Sequence, residues 1–140
     1  MSGKLSQVSR EIQEQLISPE LNREKLDALM NKFVEDIRKG VHQEEGWSNS
    51  MYGISKLGEI AYTMILAREE KGNHVLVNAC CPGYCATDMS NHKGSRSPQK
   101  GAETPIMLAL LHENEVRLLL LNGLSTTPSS YRVLVGGMRS

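Results

Sequence analysis

An α/β domain with an incomplete sheet is the fold class that the sequence predicts, on three observations. Four segments carry helical apolar spacing, one short β-branched run lies between turn signals, and no second strand of equal clarity accompanies it. A lone strand leaves its backbone N–H and C=O groups without partners, so the sheet reads as unfinished.

The elements follow in order. Residues 1–18 carry Leu5, Val8, Ile12, Leu16 and Ile17 at roughly helical spacing, and Ser18-Pro19-Glu20 breaks the pattern. Asn22 caps a cleaner amphipathic helix with Leu26, Leu29, Met30, Phe33, Val34 and Ile37 on one face and Gly40 as its stop. A polar loop from His42 to Asn49 leads to a second long helix, capped by Ser48 or Ser50 and striped by Ile54, Leu57, Ala61, Met64 and Ile65 up to Gly72. The run His74 to Cys80 reads as a buried strand of the parallel type between Gly72-Asn73 and Pro82-Gly83. After a loop, Ser97 and Pro98 start a further helix through Leu111, with Pro105 as a kink or early end. Beyond Glu113, the runs Val116 to Leu121 and Tyr131 to Val135 suit strands, separated by turn-like residues 125–130.

Composition narrows the function. Lysine plus arginine and aspartate plus glutamate balance at 16 each, which argues against nucleic acid as a partner, because phosphate binding needs a basic face. Apolar runs such as Leu118 to Leu121 fall far short of the roughly 20 residues of a membrane span, and the polar first 20 residues lack a signal-peptide core. A cytoplasmic chain with reduced thiols and no membrane partner is the expectation. Cys80, Cys81 and Cys85 do not have paired Cys-x-x-Cys spacing, and adjacent strand residues face opposite ways, so no metal is expected even with His74 or His92 nearby; buried, inert thiols are the better reading. His42 and His112 are expected in solvent, while Met30, Met64 and Met107 read as core filler.

Tyr52 and Lys56 stand four residues apart on the second long helix, so their side chains share a face. A phenol is a poor acid at neutral pH, and a neighbouring ammonium favours its phenolate and moves it toward usefulness. Such a pair is also an ordinary surface feature of a helix. Its context adds weight: Asn78-Ala79-Cys80-Cys81-Pro82-Gly83 and Thr87-Asp88-Met89 follow at the carboxyl end of the strand, where open α/β sheets bind ligands.

Through Tyr52-Gly53-Ile54-Ser55-Lys56 and Asn78 to Met89, the chain resembles the short-chain dehydrogenases/reductases. It is similar to their carbonyl reductase branch through residues 29–36, Lys39-Gly40-Val41-His42-Gln43, Glu45-Gly46-Trp47, Gly101 to Pro105 and Leu108 to Leu111. The resemblance runs from about Ser18 to Leu111. It implies a partial Rossmann-type, three-layer domain over residues 1–111, lacking the amino-terminal strands, with a helical insertion at about 20–45 and a divergent tail at 112–140. By that resemblance Tyr52 is the general acid and Lys56 holds the nicotinamide ribose and depresses the Tyr52 pKa. Pro82 and Gly83 wall the nicotinamide, and Thr87 bonds its carboxamide or the adjoining phosphate. The implied reaction is NADPH-dependent reduction of a small-molecule carbonyl substrate (aldehyde, ketone or quinone) to an alcohol. The family's glycine-rich loop, Asn-Ala-Gly turn and catalytic serine have no counterpart in this sequence, so weak or absent NADPH binding and impaired activity are expected of the 140 residues alone. The rival reading is a non-catalytic truncated product that associates with a homologue or has no independent role, with exposed apolar faces favouring self-association. A third is an unrelated helical protein with a chance Tyr-Lys pair.

Overall fold

The computed structural model describes residues 5–73 and 75–110 and the backbone of 133–135. In chain order these form a 3-10 turn at Leu5–Gln7, α1 (Arg10–Ile17), α2 (Arg23–Lys39), α3 (Met51–Glu69), β1 (Asn78–Cys80), a 3-10 turn at Asp88–Ser90, α4 (Pro98–Leu110) and β2 (Val133–Val135). Two compact units divide the chain, Met1–Glu69 and Glu70–Ser140.

In the first unit, three helices bury one apolar cluster. Ser9 caps α1, its Oγ accepting from the Ile12 N–H, and turns Ile12 and Leu16 inward. Asn22 caps α2 by accepting from the Lys25 N–H at 2.9 Å, and Gly40 ends it in the left-handed region at φ 76°. Leu26, Leu29 and Phe33 are buried on the α2 stripe with Met30 and Ile37 packed beside them, whereas Val34 is exposed. Ser50 is the cap of α3: its Oγ accepts from the Gly53 N–H at 3.0 Å, and Ser48 Oγ accepts from the Ser50 N–H. Ile54, Leu57, Ala61 and Ile65 complete the core from α3.

The connection between α2 and α3 is also part of that core. Trp47 is buried and its ring meets Phe33 at 5.0 Å between centroids. Its indole N–H donates to Asp36 Oδ2 at 3.0 Å, and Lys32 Nζ donates to the same oxygen at 2.7 Å and to Glu45 Oε2 at 2.7 Å. Asp36 is thus a buried charge with its partners supplied, the condition under which such burial is tolerated. Gly46 lies at φ 88°, and a Cβ there would stand 2.5 Å from Ser9 Cβ, so the close approach that lets Ser9 N–H donate to Gly46 C=O requires glycine. His42, expected in solvent, is half-buried: its Nε2 meets Asn49 Oδ1 at 2.6 Å, while Nδ1 is buried without a partner.

The second unit departs further from expectation. The strand is three residues long and half-buried rather than buried from His74 onward, and it pairs antiparallel with β2 in the register Asn78 to Val135 and Cys80 to Val133. Val75 and Leu76 ahead of it are exposed. A parallel-type central strand needs a neighbour on each side, and among the described residues only β2 accepts its hydrogen bonds. Part of the run Tyr131 to Val135 is the strand expected there; Val116 to Leu121, His74 and His112 lie outside the described residues. α4 starts as expected, Ser97 Oγ accepting from the Lys100 N–H at 3.2 Å, but passes through Pro105 to Leu110 instead of ending early. One missing donor does not end a helix whose other backbone bonds persist. Gly101 and Thr104 are its buried positions, and Met107, expected in the core, is exposed.

Candidate active site

Tyr52 and Lys56 occupy the first two turns of α3, directly after the loop that Trp47 and Asp36 anchor. Helical spacing places Lys56 Nζ 5.5 Å from the centroid of the Tyr52 ring, within reach of a cation–π contact. Tyr52 is 57 % exposed, so its phenol is open to a small molecule. Ser55 Oγ donates to the Tyr52 carbonyl at 2.8 Å and Ser50 takes the Gly53 N–H, which fixes the backbone on which the phenol stands.

A third residue joins the pair. Glu59 lies one turn beyond Lys56, and Lys56 Nζ donates to its Oε1 at 2.6 Å. The Glu59 carboxylate holds the Lys56 ammonium above the ordinary lysine value. In the sequence Glu59 shows only as an i, i+3 charge pair with Lys56, a spacing common on helix surfaces. Exposed pairs of this kind contribute little, so Lys56 can turn from Glu59 to a hydroxyl at small cost.

Pro82, Gly83 and Thr87 come together in the second unit, in the loop after β1. Gly83 adopts φ 82°, and the Arg96 side chain packs over it, its Cδ 2.8 Å from where a Cβ would stand. Arg96 Nη1 also donates weakly to the Pro82 carbonyl at 3.4 Å. Cys85 and Arg96 form a parallel bridge that closes the loop, with the Ala86 N–H donating to Arg96 C=O at 2.8 Å. Ser90 Oγ accepts from the Thr87 N–H at 3.0 Å and lies 2.6 Å from Cys85 C=O, holding Thr87 at the head of the 3-10 turn. Cys80 and Cys85 are half-buried, and burial pushes the Cys80 thiol up. Cys81 is exposed, so none of the three thiols is fully buried, which corrects the expectation of buried thiols.

Residues 39–98 match the family model of the short chain dehydrogenases. The chain is 51% identical to carbonyl reductase (NADPH) 1 of Mus musculus over 105 residues, covering 72% of this chain and 38% of that protein. It is 50% identical to carbonyl reductase (NADPH) 1 of Homo sapiens over 111 residues, 76% of this chain and 40% of that one. Among solved structures, salutaridine reductase from Papaver somniferum aligns with a TM-score of 0.70 at 29% identity, over 79% of this chain and 39% of its own. The chain therefore spans about two fifths of the length of the curated relatives it matches. A matched family model that contains both the tyrosine helix and the Pro-Gly loop, half-identity to carbonyl reductases and a shared backbone lead to one conclusion: the chain belongs to the short-chain dehydrogenase/reductase family.

Proposed function

We propose that the chain carries the proton-donating part of an NADPH-dependent carbonyl reductase acting on aldehydes, ketones or quinones in the cytoplasm. The observation that supports it best is the open face of α3, where Tyr52 presents its phenol and Lys56 Nζ lies 5.5 Å from the ring. NADPH, when bound, supplies the hydride. The Tyr52 O–H donates its proton to the carbonyl oxygen as negative charge develops there. Lys56, released from Glu59, donates to the ribose hydroxyls. Pro82 and Gly83 wall the nicotinamide once the Arg96 side chain that packs over Gly83 turns away, and Thr87 bonds its carboxamide or the adjoining phosphate.

On this reading these residues would hold the nicotinamide end of the cofactor. No G-x-G-x-x-G run occurs in the 140 residues, so the pyrophosphate would lack the N–H donors that a glycine-rich turn provides. A three-layer arrangement, with helices on both faces of a parallel sheet, belongs to this proposal and requires neighbours flanking β1. The 140-residue chain alone is therefore expected to retain little NADPH on gel filtration and to show negligible NADPH oxidation with menadione. In a polypeptide that also supplies a dinucleotide-binding unit, Tyr52→Phe should lower kcat by about 10²–10⁴-fold and leave NADPH affinity nearly unchanged. An unchanged kcat would remove Tyr52 from the mechanism. The exposure of Val75, Leu76, Ile106 and Leu110 favours a second reading, a non-catalytic product that covers these side chains by associating with a homologue. Absence of turnover in the extended polypeptide would select it.

A further inference from the structure

We propose that Ser97 is a phosphorylation site for a proline-directed serine kinase, and that the phosphate locks the first turn of α4. This inference is independent of the reductase reading. Three Ser-Pro or Thr-Pro pairs lie among the described residues: Ser18-Pro19, Ser97-Pro98 and Thr104-Pro105. Thr104 is buried within α4 and closed to an enzyme. Ser18 is the C-cap of α1, where a new negative charge would meet the negative end of the helix, and Glu20 follows it.

Ser97 is different on every count. It is exposed, flanked by Arg96 and Lys100, and stands at the positive end of a 13-residue helix. Pro98 biases it toward the extended backbone that a kinase groove binds, and offers no N–H that such a groove would have to satisfy. Lys100, three residues on, gives an acidic kinase surface its cation. In the transfer, Ser97 Oγ attacks the γ-phosphorus of ATP, the bond to the β–γ bridging oxygen breaks, ADP leaves, and the hydroxyl proton passes to the kinase's carboxylate base.

The product has partners in place. Ser97 Oγ already accepts from the Lys100 N–H at 3.2 Å, and Lys100 Nζ, now 2.8 Å from Glu103 Oε2, can turn to the phosphate. Arg96, next in the chain, is drawn from the Pro82 carbonyl, which uncovers Gly83. Modification at Ser97 thus reshapes the Pro82-Gly83 turn through a single arginine.

The test is incubation of the full 140-residue chain with magnesium ATP and a proline-directed kinase that prefers a basic residue three positions after the serine, followed by mapping of the phosphate by fragment mass spectrometry. Phosphate on Ser97 is expected, lost in Pro98→Ala and slowed roughly tenfold in Lys100→Ala, the loss of one charge-assisted contact. No incorporation, or incorporation with Ser97 unmodified at Ser18 or at Thr127, which precedes Pro128 outside the described residues, overturns the site. In the modified chain the amides of Gln99 to Gly101 should exchange more slowly with solvent; unchanged exchange overturns the lock.

Discussion

The two units of the chain meet the same requirement, burial of apolar surface and pairing of backbone groups, with opposite success. Every member of the buried apolar cluster lies between Val8 and Ile65. In the second unit, by contrast, the described residues that are buried are Gly101 and Thr104, while Ile106 and Leu110 of α4 and Val75 and Leu76 ahead of β1 face outward. The difference follows from the elements. A helix satisfies its own hydrogen bonds and needs only one covered stripe, which two neighbouring helices provide. A strand satisfies nothing alone, and among the described residues the sheet that α4 could cover has two short strands. The candidate residues divide on the same lines: Tyr52 and Lys56 stand on a helix of the first unit, and Pro82, Gly83 and Thr87 on a loop of the second.

The largest effect should come from the first unit. Trp47→Ala removes a buried ring, its contact with Phe33 and a donor to buried Asp36, and should cost about 3–5 kcal/mol in urea unfolding followed by circular dichroism. A cost below about 1 kcal/mol, the size of an ordinary substitution, would mean that the α2–α3 connection is not part of the core.

A smaller effect, readable as a pH dependence, should come from the network beneath it. Lys32, opposed by burial and aided by Trp47, holds the Asp36 carboxyl below the usual 3.8, so its contribution is present above that value and lost as the pH falls through the depressed one. Asp36 and Glu45 hold the Lys32 ammonium above the usual 10.5, so that contribution is present below 10.5 and lost as the pH rises through the raised value. The melting temperature should therefore be level between these limits and fall in acid, and Asp36→Asn should flatten the acid limb. An acid limb unchanged by Asp36→Asn would assign it to other carboxylates.

The smallest effect belongs to the second unit: Leu110→Glu, at a side chain 74% exposed, should change stability by less than about 0.5 kcal/mol. A loss of several kcal/mol would show that α4 buries its apolar face after all.

The same contrast explains what the sequence made legible. Asn22, Gly40, Ser50 and Ser97 mark their helix ends because capping is a local hydrogen-bond demand, and the stripes of α2 and α3 name their buried residues because the period of a helix is local too. The Tyr52 and Lys56 pairing was readable for the same reason. The extent of β1 was not, since the run up to Cys80 has strand chemistry throughout but, from Val75 on, only Asn78 to Cys80 have a strand partner. Nor was Asp36 visible as a buried charge, because its partner Trp47 lies eleven residues away across a turn that depends on Gly46 meeting Ser9. Glu59 shows a third limit: which carboxylate a lysine meets is decided by rotamers, not by spacing alone.

The contrast between the two units is tested most directly by native-state hydrogen exchange on the 140-residue chain, comparing the α3 amides from Ile54 to Ile65 with those of Val75 to Cys80. The helix bearing Tyr52 and Lys56 should exchange only through unfolding of the first unit, while the strand exchanges faster by local opening. Equal, slow exchange throughout Val75 to Cys80 in a monomer that binds no hydrophobic dye would show that the second unit completes a compact sheet by itself, and would contradict the contrast between the units.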